Sequence, residues 1–189
     1  MILLPELYKD KRICLLGSGM SLSTNNIKYT DYDLVVGINR LYHTEYLDVL
    51  NVLYYNLSSV DQNNLDYMLE TMNNKKNIKY LIFCPWCNKA IQKTRKKIAQ
   101  LKFNKEYVFC QKIVRQVRIK QRPLTGIAAL NHIVLSGAKS VNVYGFDFYQ
   151  KEYVCNMKHY KFHDTFHNIE DNIRFLNEMM QKHNIIWHK

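Results

Sequence analysis

Three prolines and six glycines in 189 residues exclude a collagen-like or Pro/Gly-rich low-complexity chain. No apolar run approaches the roughly 20 residues that cross a bilayer as a helix, so no segment reads as membrane-spanning. The opening stretch MILLPELYKDKR lacks the basic n-region and the long h-region of a secretory signal. Together these absences predict a soluble, cytoplasmic protein. The five cysteines are odd in number and scattered, which excludes a disulfide framework of the kind found in small secreted domains. Cys84-Pro-Trp-Cys87 has the spacing of a zinc or redox pair, but zinc would want a second pair and none exists, so two cysteines closing a buried strand is the simpler reading. Acidic residues are nearly missing from one stretch. Residues 89–122 hold twelve Lys or Arg and a single acid, Glu106, while charges cancel elsewhere, so the whole formal excess of +11 sits there.

What is present is a chain able to fold. Hydrophobic residues at 47% and charged residues at 23% match ordinary globular usage, and the length suits one domain over residues 1–189. Residues 12–16 (RICLL) are a short apolar run that breaks at once into Gly17-Ser18-Gly19, the pattern of a buried strand entering a glycine loop. Residues 33–38 (DLVVGI) and 49–55 (VLNVLYY) are two more such strands, ending at Asn39-Arg40 and at Asn56. Residues 61–72 carry Leu65, Met68, Leu69 and Met72 at helical spacing. A strand at 80–84, a basic helix at 89–101, a strand at 107–109 and a strand-like IVRQVRI at 113–119 follow. Thr125 is expected to cap a helix with Ile127, Leu130 and Val134 on one side and Gly137 as its stop. A strand at 140–144, a helix at 168–182 through Ile169, Ile173, Leu176 and Met180, and a short IIW strand complete the pattern. Apolar strands alternating with helices predict an α/β fold whose mainly parallel sheet is covered on both faces. Such sheets bind ligands at the carboxyl ends of their strands.

Chemistry-bearing residues gather at those ends. The Gly17-Ser18-Gly19 loop can bring backbone N–H groups to a phosphate or a sugar, or can be only a tight turn. It is not a dinucleotide fingerprint, because Leu22 stands where the third glycine would be. Asn39 and Asn56 offer a donor and an acceptor suited to a hydroxyl or a base edge, although single asparagines there are also turn formers. Arg122, Thr125 and Gly126 put a cation, a hydroxyl and open backbone at a helix start, an anion site by geometry and dipole. Tyr149 and Tyr153 follow the strand end Gly145-Phe146-Asp147 and can donate phenolic hydrogen bonds. His159, His163 and His167 gather before the last helix, whose dipole favours a neutral imidazole able to act as a base. A metal site is the alternative for them, but no third ligand is evident and Asp164 points elsewhere.

The order of these pieces resembles the sialyltransferases, most closely the bacterial lipooligosaccharide type of glycosyltransferase family 42. The resemblance rests on a glycine loop after the first strand, Asn after the second and third, RPLTG opening a helix, a strand into GFDFYQ, and a His before the last helix. The animal large sialyl motif is similar to RICLLGSGMSL with VVGINR, the small motif to RPLTGIAAL with VNVYGFDF, and the very short motif to HDTFHNIE. The likeness spans most of residues 12–176 and is most specific over 122–150. It implies a Rossmann-like, single nucleotide-sugar-binding domain with a reduced lid, acting as an inverting, metal-independent glycosyltransferase that moves sialic acid or a related sugar from a CMP donor to a glycan hydroxyl. On that reading Gly17, Ser18, Gly19, Asn39 and Asn56 hold the donor, and Thr125 and Gly126 lie against the cytidine monophosphate. Arg122 faces the acceptor or the sialic acid carboxylate. Gly145 lets the leaving group approach, and Asp147 orders its loop rather than reacting. Tyr149 and Tyr153 stabilise the departing phosphate, and His163 is the general base, with His167 fitting the spacing about equally well. Two departures stand out: Ser18 replaces the Asn typical of the bacterial family, and only 13 residues separate Tyr149 from His163, where that family carries a longer lid.

The implied partners are the CMP-sugar donor and a glycan acceptor, with no cofactor and no metal. The basic stretch adds contact with an anionic membrane surface as an option, and a homo-oligomer is compatible with the sequence. Two rival readings remain: a catalytically silent nucleotide or glycan binder of the same fold, and a nucleic-acid-binding protein working through residues 89–122. The latter segment carries no recognised nucleic-acid motif.

Overall fold

The computed structural model describes residues 4–57, 64–85, 88–148 and 167–189. Seven strands form one sheet: β1 (Arg12–Leu16), β2 (Leu34–Ile38), β3 (Val52–Asn56), β4 (Tyr80–Cys84), β5 (Glu106–Phe109), β6 (Ser140–Tyr144) and β7 (Ile185–Trp187). Their order is β5-β4-β3-β2-β1-β6-β7, and every neighbouring pair is parallel. The chain winds outward from β1 to β5, crosses back to the far side of β1, and continues through β6 to β7. The winding direction therefore reverses between β1 and β6, the place where sheets of this class open a crevice.

Both faces of the sheet are covered around β1 to β4, which is why those strands read as near-continuous apolar runs, while β6 alternates and the edge strand β5 is partly exposed. Ile13 and Leu15 of β1 join Val36, Tyr54 and Val143 in a core under α1 (Leu4–Tyr8), α4 (Gln111–Arg115), α5 (Thr125–Leu135) and α6 (Ile169–Lys182). Cys14 and Leu16 face the other way, with Leu53, Tyr55 and Phe83, under α2 (Leu65–Asn74) and α3 (Asn88–Gln100). The crossovers from β1 to β2 and from β2 to β3 contain only short 3-10 segments. In the first of them Ser23, Thr24 and Asn25 turn their side chains onto the carbonyls of Met20 and Ser21, a local competition that works against a longer helix. No described helix is long and apolar enough to cross a membrane.

Four expectations need correction. The strand-like IVRQVRI is not a strand: Gln111–Arg115 is helical, because Ile113, Val114 and Val117 sit at helical spacing and are buried together in the core shared with α5. The third strand begins at Val52, not Val49; Val49 ends a 3-10 segment, and Asn51 halts it by accepting the Val35 N–H at 2.8 Å. The helix expected at 61–72 runs instead from Leu65 to Asn74, with residues 58–63 outside the described ones. Thr125 is the first residue of α5, and Leu124 occupies the cap position without a side-chain capping bond. Cys84 is buried at the end of β4, whereas Cys87 lies outside the described residues.

One half-buried histidine is expected to make the fold acid-sensitive. His132 of α5 places Nδ1 2.7 Å from the Tyr54 hydroxyl, and burial lowers its pKa to about 4. Burial also holds the Tyr54 phenol well above its ordinary range, so Tyr54 keeps its proton and donates it to Nδ1. The unfolded chain binds a proton at pH values where folded His132 does not. This contribution to stability is complete above about pH 6.5 and is lost as pH falls toward 4, amounting to about 3 kcal/mol. Urea melts at pH 7, 5.5 and 4.5 should show that decline, and His132→Gln should flatten it.

Candidate functional site

The loops that leave β1 and β6 are clasped together at the reversal point. Gly17 N–H donates to the Tyr144 carbonyl at 2.7 Å, and Gly19 N–H donates to the Gly145 carbonyl at 2.9 Å. Asp147 then reaches across: Oδ2 accepts the Ser21 N–H at 2.8 Å and Oδ1 accepts the Ser21 hydroxyl. Asp147 thus ties its own loop to the one after β1. The amides of Gly17 and Gly19, which the sequence left open between a phosphate or sugar contact and a tight turn, are committed to this clasp. Gly145 adopts φ +69°, a conformation that L side chains rarely take, and Phe148 follows at φ +50°. Backbone strain of this kind at a strand end is characteristic of ligand sites.

Phe146 fills the space between the β1 loop and α5. A Cβ on Gly17 would lie 2.5 Å from Phe146 Cδ1 and would press into the Gly145 carbonyl oxygen. A Cβ on Gly126 would lie 2.5 Å from Phe146 Cζ. The phenyl ring therefore demands a glycine on either side, and in return it brings the start of α5 close to the crevice. With no side-chain cap at Leu124, the first N–H groups of α5 point out of an 11-residue helix, a ready anion cradle.

On the other flank Asn39 sits at φ +50°, and its Oδ1 accepts the Asn56 N–H at 2.9 Å. The two strand-end asparagines are thereby brought together. Asn56 Oδ1 is buried and has no hydrogen-bond partner among the described residues. Buried polar atoms are almost always paired, so this one marks a place for a donor from a ligand or a water.

The start of α6 is stitched to the segment before α5. His167 Nδ1 lies 2.8 Å from the Arg122 carbonyl oxygen, and Asn172 Oδ1 accepts the Leu124 N–H at 2.9 Å. Asn168 caps α6 by accepting the Asp171 N–H at 2.9 Å. A carbonyl can only accept, so His167 Nδ1 carries the proton and the basic lone pair of the neutral ring is on Nε2. Burial is the main cause that lowers the pKa of His167, with the Arg122 charge adding to it and the bond to the Arg122 carbonyl opposing it. The ring is therefore neutral near pH 7.

The structure thus brings Gly17, Ser18, Gly19, Gly145 and Asp147 to one crevice, with Thr125 and Gly126 against it, Asn39 and Asn56 on one flank, and Arg122 with His167 beside the α5 start. Tyr149, Tyr153 and His163, with His159 and the short lid, lie outside the described residues. Among the described residues no three His, Cys, Asp or Glu side chains stand together as metal ligands. Sequence reasoning missed Phe146, Ser21 and Asn172. For Asn172 a signal existed: it falls on the apolar stripe Ile169, Ile173, Leu176, and it is fully buried. A polar residue on such a stripe needs partners, and here they are the Leu124 N–H and the Asn168 carbonyl.

This is the architecture of a Rossmann-like α/β protein whose winding reverses between β1 and β6. Fourteen chains among solved structures match it, sialyltransferases among them. The sialyltransferase CstII from Campylobacter jejuni, in complex with cytidine-5'-monophosphate, superposes with a TM-score of 0.63 at 16% identity, covering 95% of this chain and 80% of its own. The monofunctional alpha-2,3-sialyltransferase Cst-I from Campylobacter jejuni gives 0.63 at 17% identity, covering 94% and 75%. CST-II in complex with a trisaccharide acceptor and CMP gives 0.61 at 18%, covering 94% and 80%. At these identities the shared property is the fold. No protein-family model and no curated protein matches the chain.

Proposed function

We propose that the protein is a glycosyltransferase that moves sialic acid or a related acidic sugar from its CMP donor to a glycan hydroxyl, with inversion and without a metal. The observation that carries this reading is the buried Oδ1 of Asn56, without a partner among the described residues, in a fold shared with sialyltransferases solved in complex with CMP. Asn56, paired with Asn39, holds the donor through that oxygen. The uncapped start of α5, at Thr125 and Gly126, receives the phosphate, and Arg122 on the same rim attracts a carboxylate.

In the transfer the acceptor hydroxyl attacks the anomeric carbon on the face opposite the phosphate. Its proton passes to His167 Nε2 while the bond from the anomeric carbon to the phosphate oxygen breaks, and CMP departs. The charge that develops on the phosphate is met by the α5 amides and by the phenols of Tyr149 and Tyr153. We place the base at His167 because its ring is oriented by the Arg122 carbonyl; His163 is the alternative.

A thermal-shift titration tests the reading. CMP at a hundredfold its Kd should raise Tm by about 5–10 °C, and UDP, GDP and NAD should not. Asn56→Ala should reduce the shift. A shift with CMP but no turnover of a CMP-sialic acid donor on any glycan would turn the assignment to a silent binder, and no shift at all would remove it.

A further inference from the structure

We propose that the basic rim between the start of α3 and the start of α5 is a docking surface for an anionic lipid bilayer, which holds the crevice open toward the membrane. This rests on the function proposed above only in giving the docked protein a membrane-borne glycan to act on. The surface itself follows from where the excess charge lies.

All seven strands are parallel, so every segment that leaves a strand's carboxyl end emerges on the side of the crevice. α3 begins there after β4, and α4 begins there after β5. The two starts are tied by the bond from Gln111 Nε2 to Asn88 Oδ1, at 3.3 Å. From α4 the chain continues through residues 116–124 to the start of α5, along the mouth of the crevice. Lys89, Lys93, Lys112, Arg115, Arg118 and Lys120 are all exposed on this path. None of the six forms an ion pair among the described residues, since the nearest acid in sequence, Glu106, is alone in the whole stretch. Half of the twelve basic residues of 89–122 thus form a band on one rim of the site, while Arg95, Lys96, Lys97, Lys102 and Lys105 lie farther along α3 or just before β5.

The chemistry of the band fits a lipid surface better than a nucleic acid. Residues 111–124 contain no aromatic side chain, so the part of the band from α4 to α5 carries no ring of its own to stack on bases. The helix that carries the centre of the band, α4, has five residues, too few to lie along a major groove as a recognition helix. Recognition by cations alone, spread over two helix starts and a loop, is what a smooth anionic surface rewards. Ile119 and Leu124, both half-buried, interrupt the cations with apolar surface rather than with groups that read bases.

Co-sedimentation of the whole protein with vesicles tests this, comparing phosphatidylcholine alone with phosphatidylcholine containing 30 mol% phosphatidylglycerol (~30% by composition, chosen to give a strong surface potential). Binding is expected to the anionic vesicles only, and to weaken steeply with salt. Arg115→Gln, Arg118→Gln and Lys120→Gln combined should reduce the partition coefficient by about 100-fold, while the CMP-induced thermal shift stays unchanged. Equal binding by the triple variant, no preference for the anionic vesicles, or tighter binding to RNA than to vesicles under the same salt would overturn the proposal. The outcomes separate the two readings. Vesicle binding without a CMP shift leaves the docking surface standing and removes the transferase, and a CMP shift without vesicle binding does the reverse.

Discussion

His167→Ala is expected to slow sugar transfer by about 10²–10⁴-fold, the usual range for removing a positioned general base. The donor-induced thermal shift should survive, because the side chain accepts the proton of the other substrate. His163→Ala made in parallel should cost far less. The pH profile supplies a second readout. Burial lowers the pKa of His167 from its ordinary 6.5, so the basic form persists below that pH. Activity should be full above pH 6.5 and fall only as acid overtakes the lowered value, with the midpoint of the acid limb below 6.5. An unchanged acid limb in His167→Ala, or a larger loss in His163→Ala, would move the base to His163.

Gly17→Ala is expected to lower Tm by about 10 °C and to abolish the response to CMP. The added methyl meets two things that cannot both retreat. The Gly145 carbonyl is held by the Gly19 N–H, and the Phe146 ring is backed by Gly126. Overpacking of a tight site costs about 1–3 kcal/mol, and in a protein of this length each kcal/mol moves Tm by about 2–4 °C. Gly126→Ala provides the informative contrast, since its clash is with the Phe146 ring alone. Combining it with Phe146→Leu should recover stability, whereas Phe146→Leu should recover little of Gly17→Ala. Calorimetry on the four variants checks this, and a Gly17→Ala protein as stable as the parent would refute the clasp as described.

The parts of the fold that were legible in the sequence are those where one physical rule decides locally. RICLL and DLVVGI are apolar on both sides because both faces of the sheet are covered there, whereas SVNVY alternates polar and apolar. The helix ending at Gly137 stops there because that residue takes φ +82°. The 113–119 segment was misread because β-branched residues favour strands by composition, while burial of Ile113, Val114 and Val117 against one helix favoured a turn of helix. In the site, the positions at strand ends were legible and their partners were not. Nothing local in GSG shows that its amides are spent on Tyr144 and Gly145, and nothing local in GFDF shows that the phenyl ring needs Gly126. The expectation for His163 over His167, which fit the spacing about equally well, turned on its lying further before the helix. What favours His167 is its bond to a carbonyl 45 residues away, which no window of sequence contains.

The clasp between the β1 and β6 loops also has a bearing on how the molecule comes into being. Ser21 and Asp147 are 126 residues apart, and β1 is paired on one side by a strand that follows nearly all of the others. During synthesis β1 can pair with β2 early, but its second edge stays bare until β6 has been made. Contacts of such long sequence separation slow folding, and a bare edge invites pairing with other chains. The crevice is therefore among the last features to be assembled, and a nascent chain spends most of its elongation with one edge of an interior strand of its own sheet exposed.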